Sequence, residues 1–184
     1  MRKALLVLTI IFSSLLFAST THAQVQIFGG YSYLRPSVTV CPVGAPTPCS
    51  ITTHPNLNGW EASGTYNPFH VLGFTADFGG NFGTIQGSTL HVQTYLFGPQ
   101  VHFPGPVSPF AHVLVGAAHE SVGSNGSALP FTDNALAAAV GGGIDVKVVP
   151  FVSLRVIQLD YLVTRFGSTT QNQPRASAGV VVHF

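Results

Sequence analysis

Leu57-Asn58-Gly59-Trp60-Glu61-Ala62-Ser63-Gly64-Thr65-Tyr66-Asn67 is the stretch that decides the fold class. Trp60, Ala62, Gly64 and Tyr66 alternate with Glu61, Ser63, Thr65 and Asn67, a period of two that puts one set on each face of an extended strand. A helix would scatter the same residues around its circumference. Asn67-Pro68 then turns the chain into a second alternating run, in which Leu72, Phe74, Ala76 and Phe78 oppose Gly73, Thr75, Asp77 and Gly79.

Working outward, the same period recurs in blocks of about ten residues, the length that a tilted strand needs to cross a bilayer. The blocks cover 25–35, 57–67, 72–79, 89–103, 109–119, 135–147, 151–166 and 175–184. In the fourth, Pro99 predicts a bulge or bend, because proline cannot donate to a ladder. In the seventh, Ser153 and Arg155 share a face but Gln158 and Asp160 have the opposite parity. One bulge near Val156 and Ile157 would bring all four to the same side. Short connections near Asn67, Gly105 and Val149 alternate with long polar ones over 36–56, 80–88, 120–134 and 167–174. That alternation predicts periplasmic turns at one end, loops at the other, and both termini on the periplasmic side.

Composition explains why these strands belong in lipid. Of 184 residues, 46% are hydrophobic and only 7% charged, against about 25% charged in a typical soluble domain. Past residue 20 no run of about 18 apolar residues provides a membrane helix. A sheet in hydrocarbon must pair every backbone group, so it has to close on itself. The expected fold is therefore all-β, an eight-stranded antiparallel up-and-down transmembrane β-barrel. A soluble sandwich would show the same alternation but needs charged outer faces, whereas the outward residues here are Leu, Val, Phe, Ala and Tyr. Six acids and seven bases give a net charge of +1, which provides no basic footprint for nucleic acid.

The first residues have the three parts of a secretory signal: Arg2-Lys3, the apolar run from Ala4 to Ala18, and Thr21-His22-Ala23. Residues 1–23 are expected to be a signal peptide cleaved after Ala23, leaving 24–184 as one outer-membrane barrel domain. Cys41 and Cys49 are the only cysteines, and in an exported chain a close pair reads as a disulfide. His54 is nearby, but no second Cys or His stands at ligand spacing, which argues against a metal.

The last strand carries a resemblance. Phe184 preceded at every second position by Val182 and Val180 is similar to the signal that outer-membrane barrels present to their assembly machinery. Together with Gly29-Gly30-Tyr31-Ser32-Tyr33 and Leu159-Asp160-Tyr161-Leu162, it makes the chain from Gln24 to Phe184 resemble the OmpA-like family of small outer-membrane barrels. The resemblance implies a barrel domain alone, without a peptidoglycan-binding domain, located in the bacterial outer membrane. It implies outer-membrane lipid and the barrel assembly machinery as partners, and it does not single out one function.

The residues that carry chemistry fall on inward positions. Glu61, Asp77, Asp145, Arg155, Gln158, Asp160 and Arg175 are expected to form a polar network in the lumen, since a charge on the lipid face costs about 2–4 kcal/mol for a midplane Arg or Lys. Paired carboxylates also suggest glycosidase chemistry, but a filled barrel offers no cleft. The histidines are spread over different strands, and Ser121 beside His119 and Glu120 is the nearest grouping to a triad, in an expected loop. Gly141-Gly142-Gly143 lacks the Lys-Ser or Lys-Thr of a phosphate cradle. Trp60, Tyr66, Phe78, Tyr161 and Phe166 fit interfacial girdles. No catalytic residue, metal or cofactor is expected. The reading is a monomeric structural or surface-interaction barrel with any extracellular ligand bound by its loops. The alternatives are a narrow porin-like channel for ions or small solutes and an outer-membrane lipid-modifying enzyme.

Overall fold

Each alternating block is a β-strand in the computed structural model of the chain, which describes residues 24–40, 51–69, 71–85, 88–123, 131–166 and 169–184. The strands are β1 (Gln24–Leu34), β2 (Val38–Val40), β3 (Ile51–Thr53), β4 (Leu57–Asn67), β5 (Leu72–Ile85), β6 (Ser88–His102), β7 (Val107–Gly123), β8 (Phe131–Val149), β9 (Val152–Phe166) and β10 (Thr169–His183). Eight of them close into a barrel in the order β1-β10-β9-β8-β7-β6-β5-β4, with every pair antiparallel. β2 and β3 form a separate hairpin in the connection from β1 to β4. The expected signal segment, Cys41, Cys49 and His70 lie outside the described residues.

The seam is paired along its length. β1 meets β10 from Gln26 opposite His183 to Leu34 opposite Arg175. Past the end of β10, the Phe184 amide donates to the Val25 carbonyl at 2.8 Å, so the two ends of the barrel chain meet on the short-turn side. On its other side β1 pairs β4 in full register, from Gln24 opposite Asn67 to Leu34 opposite Leu57. No edge is left to face hydrocarbon, as spanning a membrane with strands requires.

Burial runs inside out. Trp60 is 49% exposed while its neighbour Glu61 is 1% exposed, the reverse of a water-soluble sheet. Ile27, Tyr31, Phe74, Phe97, Val113, Val140, Leu159 and Val180 are likewise exposed on the outer wall, a continuous apolar belt that embeds the barrel in a membrane. Tyr31 pairs with Trp60, and Phe78 with Tyr95, on that wall.

The bulge in the seventh block is present. Ile157 pairs Ile144 but Arg155 pairs Asp145, a one-residue shift that leaves Val156 and Ile157 both exposed. The same shift appears on the β10 side, between Ser177 and Gly179. Ser153, Arg155, Gln158 and Asp160 are all buried as a result.

Two expectations fail. Pro99 causes no bulge: β6 keeps one register against β5 throughout, and pairing with β7 resumes in the same register on either side of Gly98 and Pro99. The missing proline donor is absorbed by a local gap in the ladder, without an extra residue. The long connections are also shorter than the polarity of the sequence implies. β5 and β6 stay paired out to Ile85 and Ser88, β7 and β8 out to Val122 and Phe131, and β9 and β10 out to Phe166 and Thr169. Above the bilayer both strand faces meet water, so polar residues extend a ladder there as well as apolar ones do.

Trp60 is the only tryptophan. Reconstituted into vesicles, its fluorescence should be quenched by brominated acyl chains and protected from aqueous acrylamide. Quenching by acrylamide alone would place the wall in water.

Candidate functional site

The interior is where this sequence concentrates its charge. An eight-stranded barrel has a lumen about as wide as the side chains that fill it. Glu61, Asp77, Asp145, Arg155, Gln158, Asp160 and Arg175 are all buried there. Arg175, on β10, is the hub. Its Nη1 donates to Asp77 Oδ1 at 2.9 Å, its Nε and Nη2 donate to Asp160 Oδ2 at 3.0 and 2.7 Å, and Glu61 Oε2 lies 3.3 Å from Nε. One guanidinium thereby ties β4, β5 and β9 to β10 across the lumen, using a planar fork that a lysine lacks.

Arg155 forms a second centre nearer the short-turn end. Its Nε and Nη2 grip Asp145 bidentately at 2.8 and 2.9 Å. Its guanidinium carbon sits 4.4 Å from the centroid of the Phe28 ring and 4.1 Å from that of Phe110. Glycines make room for those rings: a Cβ on Gly143 would lie 2.9 Å from the Phe110 ring, and one on Gly179 would lie 2.9 Å from Phe28. Cation–π contact thus adds to the ion pair in a desolvated place.

Gln158 joins the two centres. Its carbonyl accepts from Arg155 Nη1 at 2.7 Å, while its amide donates to Glu61 Oε1 at 2.7 Å and to Asp160 Oδ2 at 2.8 Å. Ser177 Oγ donates to the other Glu61 oxygen. His112 Nε2 lies 2.7 Å from Asp160 Oδ1; an ionised carboxylate only accepts, so this nitrogen carries the proton. The sequence reading did not single out Phe28, Phe110, His112 or Ser177 as partners. Strand parity places each of them inward, but which inward residues meet across the lumen depends on the shear of the barrel, which parity does not give.

Toward the loop end apolar clusters join the filling, interleaved with buried Ser32, Asn81, Thr94, Thr164 and Gln173. Leu34, Leu57, Leu90 and Val92 form one buried cluster, and Leu96, Leu114, Ala118, Ala137, Ala139 and Leu162 form another. Toward the short turns the lumen opens into a cavity of about 180 Å³, lined in part by Gln26, Gln100, His102, Asp145, Ser153 and His183. The bore is therefore a polar vestibule, a charge network and a mixed layer of apolar clusters and neutral polar side chains in series.

The Ser121, His119 and Glu120 grouping is not a triad. All three lie on β7, a strand and not the expected loop, and the pleat sends Glu120 to the face opposite His119 and Ser121. The His119 ring bonds Asn134 at 2.7 Å instead. A Ser–His hydrogen bond does occur between Ser153 Oγ and His183 Nε2 at 2.8 Å in the vestibule, but the adjacent Asp145 is already held by Arg155. Val180 and Phe184 are exposed on the outer wall and Val182 is half-buried.

This architecture is the fold of the small eight-stranded outer-membrane β-barrels. Among solved structures the chain is similar to Ail, the attachment invasion locus protein of Yersinia pestis, with a TM-score of 0.62, 15% identity, and coverage of 89% of this chain and 100% of that one. It is similar to Neisserial surface protein A, with a TM-score of 0.63, 16% identity and coverage of 89% and 98%. The outer membrane protein OprG from Pseudomonas aeruginosa gives a TM-score of 0.56 at 10% identity, covering 88% and 96%. No family model and no curated protein sequence matches the chain.

Removing one member of a buried ion-pair network strands the others. Arg175→Met should lower unfolding stability by about 3–5 kcal/mol, measured by urea titration of the folded and unfolded gel bands. A loss of about 0.5 kcal/mol, the size of an ordinary surface substitution, would show that the network is not holding the barrel.

Proposed function

We propose that the protein is a non-conducting outer-membrane barrel that acts at the cell surface, with its specific contacts made by the outer loops. The observation that carries this reading is the filled bore. The bonded side chains of the Arg155 and Arg175 centres span the lumen above the vestibule, and buried apolar clusters lie beyond them. A path for ions needs continuous water, so side chains that bond one another across the bore leave the porin-like alternative with less support. In this reading the seven-residue lumen network is structural, pinning the strands together. For the lipid-modifying alternative, His119 and Ser121 share the outward face of β7 and the His119 ring bonds Asn134, but among the described residues no carboxylate faces outward beside them, since Glu120 and Asp133 point inward.

In the same proposal, residues 1–23 direct export and are removed after Ala23, Val180, Val182 and Phe184 are read by the assembly machinery, and the barrel works as a monomer. A Cys41–Cys49 disulfide would hold the first outer connection in fewer shapes, lowering the entropy cost of binding. Ail has been crystallised with the heparin analogue sucrose octasulfate, which supports a surface-binding role for a barrel of this build.

The purified protein in a planar bilayer should give no single-channel steps above background, and deletion of residues 41–49 should leave heat-modifiable gel mobility intact. Reproducible steps from the folded protein would overturn the non-conducting reading.

A further inference from the structure

The loop end of the barrel wall presents cations that the sealed interior does not use. Of seven Lys and Arg residues, Arg2 and Lys3 precede the barrel, Arg155 and Arg175 are buried in the lumen, and Lys147 lies at the short-turn end of β8. Arg35 and Arg165 remain, both exposed at the opposite end. The Arg35 amide donates to the Pro174 carbonyl at 3.0 Å, and Pro174 is paired with Tyr161. Arg35, Pro174 and Tyr161 therefore form one outward row across three strands, with Arg165 on the same face further along β9. Arg35, Ser37, His54, Tyr161, Asn172 and Pro174 line a groove of about 410 Å³.

No carboxylate balances this sector. All six acids of the chain are described. Glu61, Asp77, Asp145 and Asp160 are buried inside, while Glu120 and Asp133 face each other from inward positions on β7 and β8. Height matters too. Arg35 stands four residues beyond Tyr31 on the same face of the chain, roughly 13 Å along a strand rising about 3.3 Å per residue. Tyr31 pairs with Trp60 on the outer wall, an aromatic pair of the kind that anchors at a membrane interface. The groove thus opens sideways at the level of lipid headgroups.

We infer that this groove binds the phosphate groups of an anionic glycolipid in the outer leaflet, with Arg35 as its main anchor and Arg165 as a second cation. Ser37 and Asn172 add neutral donors, and Tyr161 provides an apolar floor where the acyl chains begin. A guanidinium suits phosphate because its fork donates two parallel hydrogen bonds. A lateral opening favours a lipid over a soluble polyanion, which would have to displace lipid to enter. The inference goes beyond the proposed surface role and rests only on the barrel lying in the outer membrane.

The test is native mass spectrometry of the full barrel, refolded in neutral detergent, with bis-phosphorylated lipid A, its dephosphorylated form, and inorganic pyrophosphate as probes. The bis-phosphorylated lipid should be retained at least about tenfold better than the dephosphorylated one, and an Arg35→Ala, Arg165→Ala double variant should lose about that factor. Lys147→Ala, at the other end, should leave retention unchanged. Gel mobility of unboiled samples verifies that each variant is folded. Equal retention of both lipids, or retention untouched by the double variant, would overturn the site. Pyrophosphate displacing the lipid at equal concentration would overturn the lipid as its occupant.

Discussion

Hydrocarbon offers no hydrogen-bond partner, and everything in this structure follows from that. A peptide group left unpaired in the bilayer costs several kcal/mol, so a sheet there has no tolerable edge. The pairing of β1 with β10, and of the Phe184 amide with Val25, removes the last two edges. Closure also fixes strand number and hence bore. With eight strands the lumen is narrow enough that side chains from opposite walls touch.

Closure then reverses the usual partition of a protein. Apolar side chains go outward because lipid receives them, and polar ones go inward because only the lumen can satisfy them. In a bore so narrow, inward charges have to satisfy one another. Arg175 meets Asp77, Asp160 and Glu61, and Arg155 meets Asp145 between two aromatic rings. A buried ion pair gains little over an apolar pair of the same shape, but it is costly to break. Such a network therefore specifies register: a slip of one residue on any contributing strand would carry a charge onto the lipid face. The bulge at Val156 and Ile157 serves the same end, since without it Gln158 and Asp160 would point into lipid.

Much of this was legible in the residues because side-chain parity in a strand is binary. Alternation identified the inward set from Glu61 to Arg175, and the conflict of parity between Arg155 and Gln158 located the bulge. Parity is silent about distance across the bore, so the Phe28 and Phe110 sandwich and the His112 to Asp160 bond had no signal in the chain. Proline chemistry misled at Pro99, where the ladder tolerates a gap. Polarity misled beyond the bilayer, where β7 and β8 continue as strand although their residues read as loop. The apolar clusters of the outer lumen, from Leu34 to Leu162, were hidden for a related reason: inward leucines look like any other apolar residues until the faces are assigned.

The most direct measurement is nuclear magnetic resonance of the barrel in lipid nanodiscs, looking for cross-strand amide contacts along the seam. Contacts between Gly29 and Val180, and between Tyr31 and Ala178, together with slow amide exchange on both strands, are the predicted result. Rapid exchange of the β1 and β10 amides with no contact between them would mean an open sheet, and would contradict the account.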